Sequence, residues 1–596
     1  MTSSTTERGV CMAARTVQIN SFCGGSSRLA DSEFVGMEES VNMYPETVQS
    51  TDSFTTKLLK SVEGFDRSYY GEGSWIVGVL NVNTNPFNNA SIKEALLIVS
   101  QDMLTPTSHD VSVFSPLTGE VLPVGTMTVS NAEHRVKMLE LSNGIVIILV
   151  GSVLFACDPS TQSLSALSNI TKPDAFDHAG KILPTQMAQL NFRVVMNDKG
   201  SDYIYWSELN RPSGASDVHA FEQSLTQYAY TKTDGTVVTF ADNVFYAPAY
   251  GTYDPDTLTT QTVYTSSLNS MKMDFKSDNV IALRATDSSL FVFGSNSLQV
   301  LRWQNSTTAP FAIVAKTSDS GLDFGDAAAV IGQECYYVGK GPGRQLGVWC
   351  AGEGGSIRKI STRAIDQRLA SYARISDVRT FAYSYKGHTF FIASIFGNYV
   401  DEESHEETIA YDLSEDAWSD RESYDQQGNA HVWSAYDSVP IEGIPFFAVS
   451  TKGDSRYVAK FSPDSFTDLY MEDSRYPTNS YFIKKTRTTG IKYDGVNDII
   501  VTALELVMNN GSAKVAADDS PAKNPKVMLQ VSADGGRTWS NELWAYAGQV
   551  GQYSWRTRWN SLGRGARFAF RVRMSDPCNF EIATAYISYI PCGNRV

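Results

Sequence analysis

Residues 281–303 read IALRATDSSLFVFGSNSLQVLRW, which divides into three short apolar stretches. Asp287-Ser288 and Ser295-Asn296 separate the stretches, and both pairs favour tight turns. The stretches themselves are rich in branched and aromatic residues, which favour β-strands. The same alternation of strand and turn recurs at Asn191–Trp206 and at Phe381–Ile395. Successive short strands joined by tight turns are typical of a sandwich, a barrel or a propeller, so the sequence predicts a mainly β protein.

The strands change in character along the chain. Before about residue 480 they are short, and Ala410–Asp412 followed by Trp418 resembles the end of a propeller blade, although no fixed repeat length is present. From Tyr481 onward the strand-like segments lengthen; they are Ile499–Met508, Val527–Val531, Arg567–Met574 and Glu581–Tyr589. We therefore expect a degenerate β-propeller body over residues 1–480 and a C-terminal β-sandwich-like domain over residues 481–596.

Two stretches interrupt the pattern of the body. Residues 81–116 are rich in Asn, Ser and Thr around a short apolar run, and residues 223–272 are rich in Tyr and Thr. Insertions in closed β folds usually project from the surface, where partners are met. Both stretches are therefore predicted to be inserted β-rich subdomains that project as tip or docking elements.

The most apolar run, residues 144–157, reads GIVIILVGSVLFAC and is too short to cross a bilayer. Gly151-Ser152 breaks it, which predicts two buried strands joined by a turn. One helix is predicted over Arg363–Arg374, capped by Ser361 or Thr362, because one face carries Ile365, Leu369 and Tyr372. The N-terminal residues lack the apolar segment of a secretory signal, so we expect a soluble protein that is not inserted in a membrane.

The net charge and the cysteine spacing bear on the class of protein and on the state of its thiols. The chain has 49 Lys and Arg against 65 Asp and Glu, for a formal net charge of −16. A protein that grips nucleic acid by neutralising phosphates needs the opposite balance, so specific nucleic-acid binding is disfavoured. The cysteines form no CxxC pair and are expected to be reduced thiols; they are Cys11, Cys23, Cys157, Cys335, Cys350, Cys578 and Cys592.

The segment Ser532–Trp539, SADGGRTW, fits the Asp-box pattern SxDxGxTW. In this device the carboxylate of Asp534 accepts hydrogen bonds from turn N–H groups, the glycines allow positive φ, and Trp539 is expected to pack below the turn. Sialidase propellers carry several such boxes, whereas this chain has one, with no arginine triad and no partnered Tyr nucleophile. A structural hairpin is the favoured interpretation.

The remaining polar motifs are also interpreted structurally. Gly339–Arg344 lacks the pattern of a phosphate-binding loop and is predicted to be a surface turn. The acidic run formed by residues 401–403 with Glu406 and Glu407 is predicted to be a solvated loop. Acid–base or calcium chemistry would need geometry that sequence does not give for Asp319, Asp323 and Asp326. No metal-ligand spacing links the histidines His109, His134, His178, His219, His388, His405 and His431. We expect no catalytic, metal-binding or cofactor-binding residues.

Four stretches resemble one family, the tail hub or nozzle proteins of short-tailed bacteriophages, also called packaged-DNA stabilisation proteins. They are Glu39–Glu46 (ESVNMYPE); Tyr203–Glu208 (YIYWSE); Ile281–Trp303, followed by Asp319–Leu322, Cys335–Val338 and the helix at Ile365–Tyr372; and Val527–Tyr589 with its SxDG hairpin. Residues 81–116 and 223–272 carry no part of the resemblance. The resemblance implies a β-propeller-like body that assembles as a six-membered ring below the portal and has no catalytic residues.

On this resemblance we expect a structural virion protein, assembled in the host cytoplasm, whose six copies extend the channel of the portal or head–tail adaptor. Such a tube would help to retain packaged double-stranded DNA, conduct it non-specifically during ejection, and anchor fibres, spikes, a needle or a plug. An acidic lumen would repel phosphate and let DNA slide. The alternative is a sialidase-like glycan hydrolase or a glycan-binding β-propeller. A hydrolase should show a pocket with two carboxylates or a Tyr nucleophile, whereas a hub should show large contact surfaces instead.

Overall fold

The computed structural model describes most of the chain. The described residues are 14–19, 22–25, 38–49, 55–71, 74–87, 89, 91–130, 135–167, 182–207, 229–231, 237–239, 270–273, 278–304, 311–399, 404–425, 428–451, 454–468, 481–495, 497–513 and 520–592. Nearly all regular structure in these residues is β, as the sequence predicts.

Within the described residues, seven four-stranded antiparallel sheets form the blades of a propeller. From the innermost strand outward they are blade 1, Ser74–Val82, Ala95–Asp102, Ser108–Phe114 and Val121–Thr128; blade 2, Val136–Glu140, Val146–Val150, Val153–Asp158 and Ser163–Ala166; blade 3, Met187–Leu190, Arg193–Asn197, Tyr203–Trp206 and Ser270–Lys272; blade 4, Ala282–Ala285, Ser289–Phe293, Ser297–Trp303 and Phe311–Ser318; blade 5, Ala328–Ile331, Glu334–Lys340, Leu346–Gly352 and Ile357–Lys359; blade 6, Tyr372–Tyr385, His388–Tyr399, Ser404–Asp412 and Ala417–Tyr424; and blade 7, Ala435–Ile441, Ile444–Thr451, Asp454–Ser462 and Gly64–Tyr70.

The blades close into a ring. The first strand of each blade contacts the first strand of the next, and the first strand of blade 7 contacts that of blade 1. Blade 7 is completed by a strand from the other end of the chain, since Gly64–Tyr70 pairs antiparallel with Asp454–Ser462. This pairing ties the start of the propeller to its end, so the ring closes through hydrogen bonds as well as through packing.

Apolar cores lie between adjacent blades. Between blades 6 and 7, Phe65 of the closing strand stacks on Phe461 with ring centroids 5.4 Å apart and on Trp433 at 5.8 Å. Phe447 packs against the same rings, and all four side chains are buried. Aromatic pairs add to the stabilisation that burial of their area provides. Stacked and tilted aromatic rings therefore stabilise the contact between blades 6 and 7.

The second unit is a β-sandwich of two sheets. The first sheet runs in the order Met43–Gln49, Thr55–Ser61, Glu581–Pro591, Ile499–Met508 and Thr557–Gly565, with Arg15–Gln18 also paired to Glu581–Pro591. The second sheet runs in the order Glu39–Val41, Lys485–Thr488, Ala569–Met574, Lys526–Ser532 and Leu543–Tyr546. Between the sheets lies one apolar core that includes Phe22, Met43, Leu504, Phe570 and Phe580, all buried.

Both ends of the chain build this sandwich. Arg15 lies opposite Tyr589 in the first sheet, and Glu39 lies opposite Thr488 in the second. The fully buried Arg487 donates from Nε to the carbonyl of Phe22 at 2.7 Å and from Nη1 to that of Gly25 at 2.9 Å. The N-terminal residues are therefore part of the sandwich core and of its hydrogen bonding.

Asn42 lies at the junction of the two units. It is buried, has φ of 53°, and lies where Glu39–Val41 of the sandwich also bridges to Asp420 of blade 6. Its Nδ2 donates to the carbonyls of Glu422 at 2.9 Å and Lys484 at 3.0 Å, and its Oδ1 accepts from the N–H of Glu422 at 3.0 Å. Asn adopts positive φ more readily than most residues, which explains the Val-Asn-Met sequence at this point. Blade 6 and the second sheet consequently form one continuous sheet.

Two local predictions are confirmed. Residues 144–157 form the hairpin Val146–Val150 and Val153–Asp158, and Gly151 and Ser152 both have positive φ, which suits a two-residue hairpin turn. The helix spans Arg363–Ser371, and the Thr362 hydroxyl accepts from the N–H of Ile365. It ends three residues earlier than predicted because Tyr372 begins the innermost strand of blade 6.

The structure corrects the expected domain limits. Strands between Arg15 and Ser61 belong largely to the sandwich, so the body does not span residues 1–480. Residues 81–116 are not a projecting insertion: they supply the two middle strands of blade 1, and the described residues of their polar stretch before Ala95 connect two strands of that blade. Most of residues 223–272 lies outside the described residues. The described parts are a two-stranded ladder, Ala229–Thr231 with Val237–Thr239, and the outer strand of blade 3.

The remaining elements are small. Ala430–Val432 pairs with the outer strand of blade 6, Thr467–Asp468 pairs with Tyr481–Phe482, and Pro342–Arg344 forms one 3-10 turn. Over the described part of the chain, no helix has the length and apolar character needed to span a membrane.

Candidate functional site: the propeller axis and the sandwich

A polar cavity of about 390 Å³ lies on the propeller axis. Its walls come from the innermost strands of blades 1, 2, 4, 5, 6 and 7 and from residues just before them. The charged residues that line or adjoin it are Arg135, Lys137, Arg284, Asp326, Asp377, Arg379 and Asp437. We call this set the axial charge cluster.

Ion pairs cross the axis between blades. Nη1 of Arg135, next to blade 2, lies 2.6 Å from Oδ2 of Asp326, next to blade 5, and its Nη2 bonds Asp377 of blade 6. Lys137 also bonds Asp326, and Nη2 of Arg284 of blade 4 lies 3.8 Å from the same carboxylate. Asp326 is thus the point at which blades 2, 4 and 5 meet electrostatically.

The environment shifts the pKa values of these groups in opposite directions. Burial alone would raise the pKa of Asp326, but Lys137 and Arg135 outweigh it and hold this pKa well below its usual range. Burial lowers the pKa of Lys137 in spite of the attraction of Asp326. Burial raises the pKa of Asp437 to about 6, although the N–H of Ser438 and the charge of Lys137 act against the shift. The two carboxyls Asp437 and Asp326 therefore have pKa values shifted in opposite directions, that of Asp437 toward neutrality.

The geometry of the axial charge cluster suits the linking of blades across the axis better than acid–base catalysis. An acid catalyst must hold a proton and its partner carboxylate must be free to react, whereas Asp326 is ionised and already shared between cations. The guanidinium of Arg284 is also occupied, since Nε donates to the carbonyl of Ala328 and Nη2 to that of Gly325, each at 2.7 Å. Nowhere in the described residues do three or more His, Cys, Asp or Glu side chains gather as a metal site would require.

The Asp box forms the predicted turn but not the predicted packing. Oδ1 of Asp534 accepts from the N–H groups of Arg537 at 3.1 Å and Thr538 at 3.0 Å, and these bonds, with that of the Thr538 hydroxyl, lower its pKa to about 2. Gly535 and Gly536 have φ of 81° and 92°. Trp539 is only half-buried and lies beneath the guanidinium of Arg571, whose Cζ is 4.1 Å from the ring centroid. The expectation of a packed core tryptophan is corrected, because the turn projects from the outer face of the sheet.

The other acidic candidates do not come together. Asp319 pairs with Arg344 at 3.2 Å and Asp323 with Lys340 at 2.7 Å, while Asp326 belongs to the axial charge cluster. In the acidic run, residues 401–403 lie outside the described residues. Glu406 and Glu407 are in a strand of blade 6 rather than a loop; they pair with His431 and Arg368.

The histidines and cysteines have structural surroundings where they are described. His388 is buried and pairs with Asp412 at 2.7 Å, which raises its pKa, and the His405 ring stacks on Tyr399. His109 is buried, while His134, His178, His219 and Cys11 lie outside the described residues. The thiols of Cys23, Cys157, Cys335, Cys350, Cys578 and Cys592 are free. The loop at Gly339–Arg344 is a turn between two strands of blade 5, as predicted.

Sequence reasoning missed most of the axial charge cluster. Asp377 and Arg379 lie within the first strand of blade 6, Tyr372–Tyr385, with apolar residues on both sides. Asp437 interrupts the first strand of blade 7 in the same way. The sequence feature that could identify these residues is a charged side chain inside the first strand of a blade. It could be used only after the blades were delimited, because position within a blade decides whether a residue faces the axis.

Two family matches cover parts of both units. Residues 220–396 match the family described as "Bacteriophage P22 Gp10, beta-propeller", and residues 486–589 match "Bacteriophage P22 Gp10, beta-sandwich". The first match extends from the long connection in blade 3 into blade 6 and so includes residues 223–272. The second lies inside the sandwich. The comparison with curated proteins gave no match.

Solved structures show only distant similarity. The matched chains come from "Crystal Structure of Mitotic Checkpoint Complex" (10% identity, 66% of this chain and 93% of that chain, TM-score 0.33), a putative 6-phosphogluconolactonase from Bacteroides uniformis (11%, 63% and 90%, 0.26) and Sqt1 from Saccharomyces cerevisiae (8%, 67% and 98%, 0.31). These values are too low for any functional argument.

The propeller, the sandwich and the two matches together define a structural protein of the phage tail. More particularly, the two matched segments are the propeller and the sandwich of the bacteriophage P22 Gp10 family, and this similarity supports a DNA-stabilisation protein of the tail hub or nozzle of short-tailed phages.

Proposed function

We propose that six copies of this chain form the tail nozzle of a short-tailed phage, below the portal or head–tail adaptor. The observation that carries the proposal is the match to both Gp10 domains, in order and each on the corresponding unit of the fold. In the virion the ring helps to retain packaged DNA, conducts it during ejection, and anchors fibres, spikes, a needle or a plug. Assembly takes place in the host cytoplasm.

The path of DNA in this proposal runs between copies. The axis of a single propeller is crossed by ion pairs from Arg135 and Lys137 to Asp326, so it offers no passage for a duplex. A lumen enclosed by six copies would present an acidic surface, in keeping with the net charge of −16. Like charges repel across such a surface, and DNA contacts are then weak and independent of sequence.

Electron cryomicroscopy of particles tests this proposal. We expect density for six copies below the portal and a lumen with excess carboxylates. A five-fold or two-fold arrangement, or a lumen lined mainly by Lys and Arg, would contradict the proposal. Because assembly can require the docking platform, particles are a better sample than the free protein.

The proposal also assigns no catalytic role to the chain. Its support is the occupied state of Asp326 and the turn-forming role of Asp534, whose oxygens already accept bonds from the Asp box itself. We expect no turnover when the protein is incubated with sialosides or host surface polysaccharides. Cleavage that is abolished by Asp437→Asn or Asp534→Asn would overturn this assignment in favour of a glycan hydrolase.

A further inference from the structure

The sandwich carries an exposed aromatic and cationic surface along its edge strand Leu543–Tyr546. Trp544 and Tyr546 lie on the edge strand Leu543–Tyr546 with 57% and 45% of their surfaces exposed, and Tyr553 and Trp555 in the following loop are 77% and 42% exposed. The indole N–H of Trp555 donates to the carbonyl of Tyr546 at 2.8 Å, which holds loop and strand together. We call these four side chains the aromatic face.

Cations flank the aromatic face on the same side of the sheet. Nζ of Lys526, directly opposite Tyr546 in the ladder, lies 5.5 Å from the ring centroid of Trp544 and 5.6 Å from that of Tyr546. Arg573 follows on the next strand, opposite Met528, and its partner Glu542 is 3.7 Å away. Contiguous exposed aromatic residues with Lys and Arg mark contact surfaces rather than ordinary solvent-facing sheet.

The edge strand itself is not free to accept another strand. The carbonyl of Leu543 accepts from the indole of Trp559 at 2.9 Å, and that of Tyr546 accepts from Trp555 and from the Thr557 hydroxyl. An edge covered in this way is protected from β-strand addition. A partner must therefore be recognised by side chains.

The charge of the chain is divided unequally between its two units. Residues 1–61 and 481–596, which include the strands of the sandwich, contain 20 Lys and Arg against 16 Asp and Glu, a net charge of +4. Residues 62–480, which include the blades of the propeller, hold the other 29 and 49, a net charge of −20. The sheet that bears the aromatic face runs on into blade 6, which fixes its orientation relative to the propeller. Complementary surfaces that are fixed in different places on one molecule suit a head-to-tail contact between copies, and such a contact generates a ring when its rotation closes.

We propose that the aromatic face, with Lys526 and Arg573, docks on the acidic propeller of a second copy and forms the repeating contact of the ring. This inference rests on the proposed nozzle assembly for its biological setting, but the contact can be tested apart from it. Nucleic acid is a poorer occupant, because the bases of a packaged duplex are stacked on one another and do not reach aromatic side chains.

Zero-length carbodiimide cross-linking of particles, which joins amines to carboxylates, tests the contact. The band of two linked chains should yield peptides that join Lys526 to Asp or Glu of the propeller. Links from Lys526 to the sandwich of the other copy, or to a different virion protein, would overturn the assignment.

Sedimentation of the purified full chain at low and high salt provides the independent readout. We expect association at low salt that weakens as salt is added, and that becomes roughly tenfold weaker or more in Lys526→Glu with Arg573→Glu and in Trp544→Ala with Tyr553→Ala. The matched controls are Arg15→Glu and Tyr493→Ala, exposed residues of the sandwich outside the aromatic face, which should leave association unchanged. All variants are first compared with the parent chain by thermal melting.

The two readouts separate this inference from the nozzle proposal. Absence of the chain from particles defeats the nozzle proposal, and salt-dependent association that the face variants abolish still supports the contact. If the chain is present in particles and the variants of the aromatic face assemble normally, the proposed contact is wrong and the nozzle proposal still holds. Retention of the chain on immobilised host polysaccharide, lost in Trp544→Ala, would assign the face to glycan instead.

Discussion

The propeller and the sandwich are both all-β, but their strands come together in different ways. Inside the propeller most pairings join strands that are consecutive in the chain, as in the run from Ala282 to Ser318 that makes blade 4. In the sandwich the decisive pairings join opposite ends of the chain, such as Arg15 with Tyr589 and Glu39 with Thr488. A local hairpin can form from the sequence of its own two strands and turn. A pairing between the two ends of the chain depends on how all the intervening residues fold. The sandwich should therefore be the unit that is more easily disrupted.

The strongest test of this difference is a fragment of residues 481–596. It lacks the strands contributed by residues 15–61 and the buried Phe22 and Met43, and it leaves Arg487 without its carbonyl partners. We expect no cooperative thermal transition from this fragment. A fusion that supplies residues 14–61 through a Gly/Ser linker should restore the transition. A fragment that melts cooperatively by itself would show that the sandwich folds without the N-terminal strands.

The next largest effect is expected at the junction, from Asn42→Ala. The variant removes three side-chain hydrogen bonds at a buried site and places Ala at positive φ, so a loss of roughly 3 kcal/mol or more is expected. Calorimetry should show the propeller and the sandwich melting as two separated transitions. Asn541→Ala, at an exposed position of the sandwich, should change stability by less than about 0.5 kcal/mol. An unchanged single transition in Asn42→Ala would mean that the junction does not couple the units.

A smaller, pH-dependent effect is expected on the propeller axis. The folded-state pKa of Asp437 is raised to about 6 from 3.8, so its stabilising contribution is present below pH 4 and is lost as the pH rises through 6. Asp437→Asn removes that loss, and the variant should gain roughly 1–3 kcal/mol on the parent chain between pH 4 and pH 7.5. Melting temperatures of both proteins across this range give the comparison. Asp287→Asn, at an exposed turn, should keep a constant difference from the parent, and a constant difference for Asp437→Asn would contradict the assigned burial.

The smallest effect is expected from Trp539→Ala in the Asp box. A tryptophan packed in the core would cost roughly 3–5 kcal/mol on truncation, but Trp539 is half-buried and its main contact is the guanidinium of Arg571. An exposed cation–π contact contributes about 0.5–1 kcal/mol, so the melting temperature of the sandwich should fall only slightly. A loss as large as that of Asn42→Ala would restore the packed interpretation.

How far the sequence predicted the structure follows from the same difference between local and distant pairing. The hairpin at residues 144–157 and the start of the helix at Arg363 were predicted because their signals lie within a few residues. Blade number and the true limits of the sandwich were not, because Gly64–Tyr70 carries no mark of its partner in residues 454–462. The axial charge cluster was missed for the related reason that its members are contributed by separate blades. Trp539 was misplaced because the Asp-box pattern specifies the turn but not the side of the sheet on which it lies.

The closing strand of the propeller has a consequence for synthesis. Residues 64–70 leave the ribosome early, but their partner strand begins roughly 380 residues later, which at about 5–20 residues per second is a wait of roughly 20–80 s. During that time an unpaired strand is exposed to other nascent chains, with which it could aggregate. Its exposed Asp66 and Arg67 place charges of both signs in the middle of the strand, and such charges discourage mispairing. The strand that closes the finished propeller thus also carries charges that protect it from mispairing while it is unpaired.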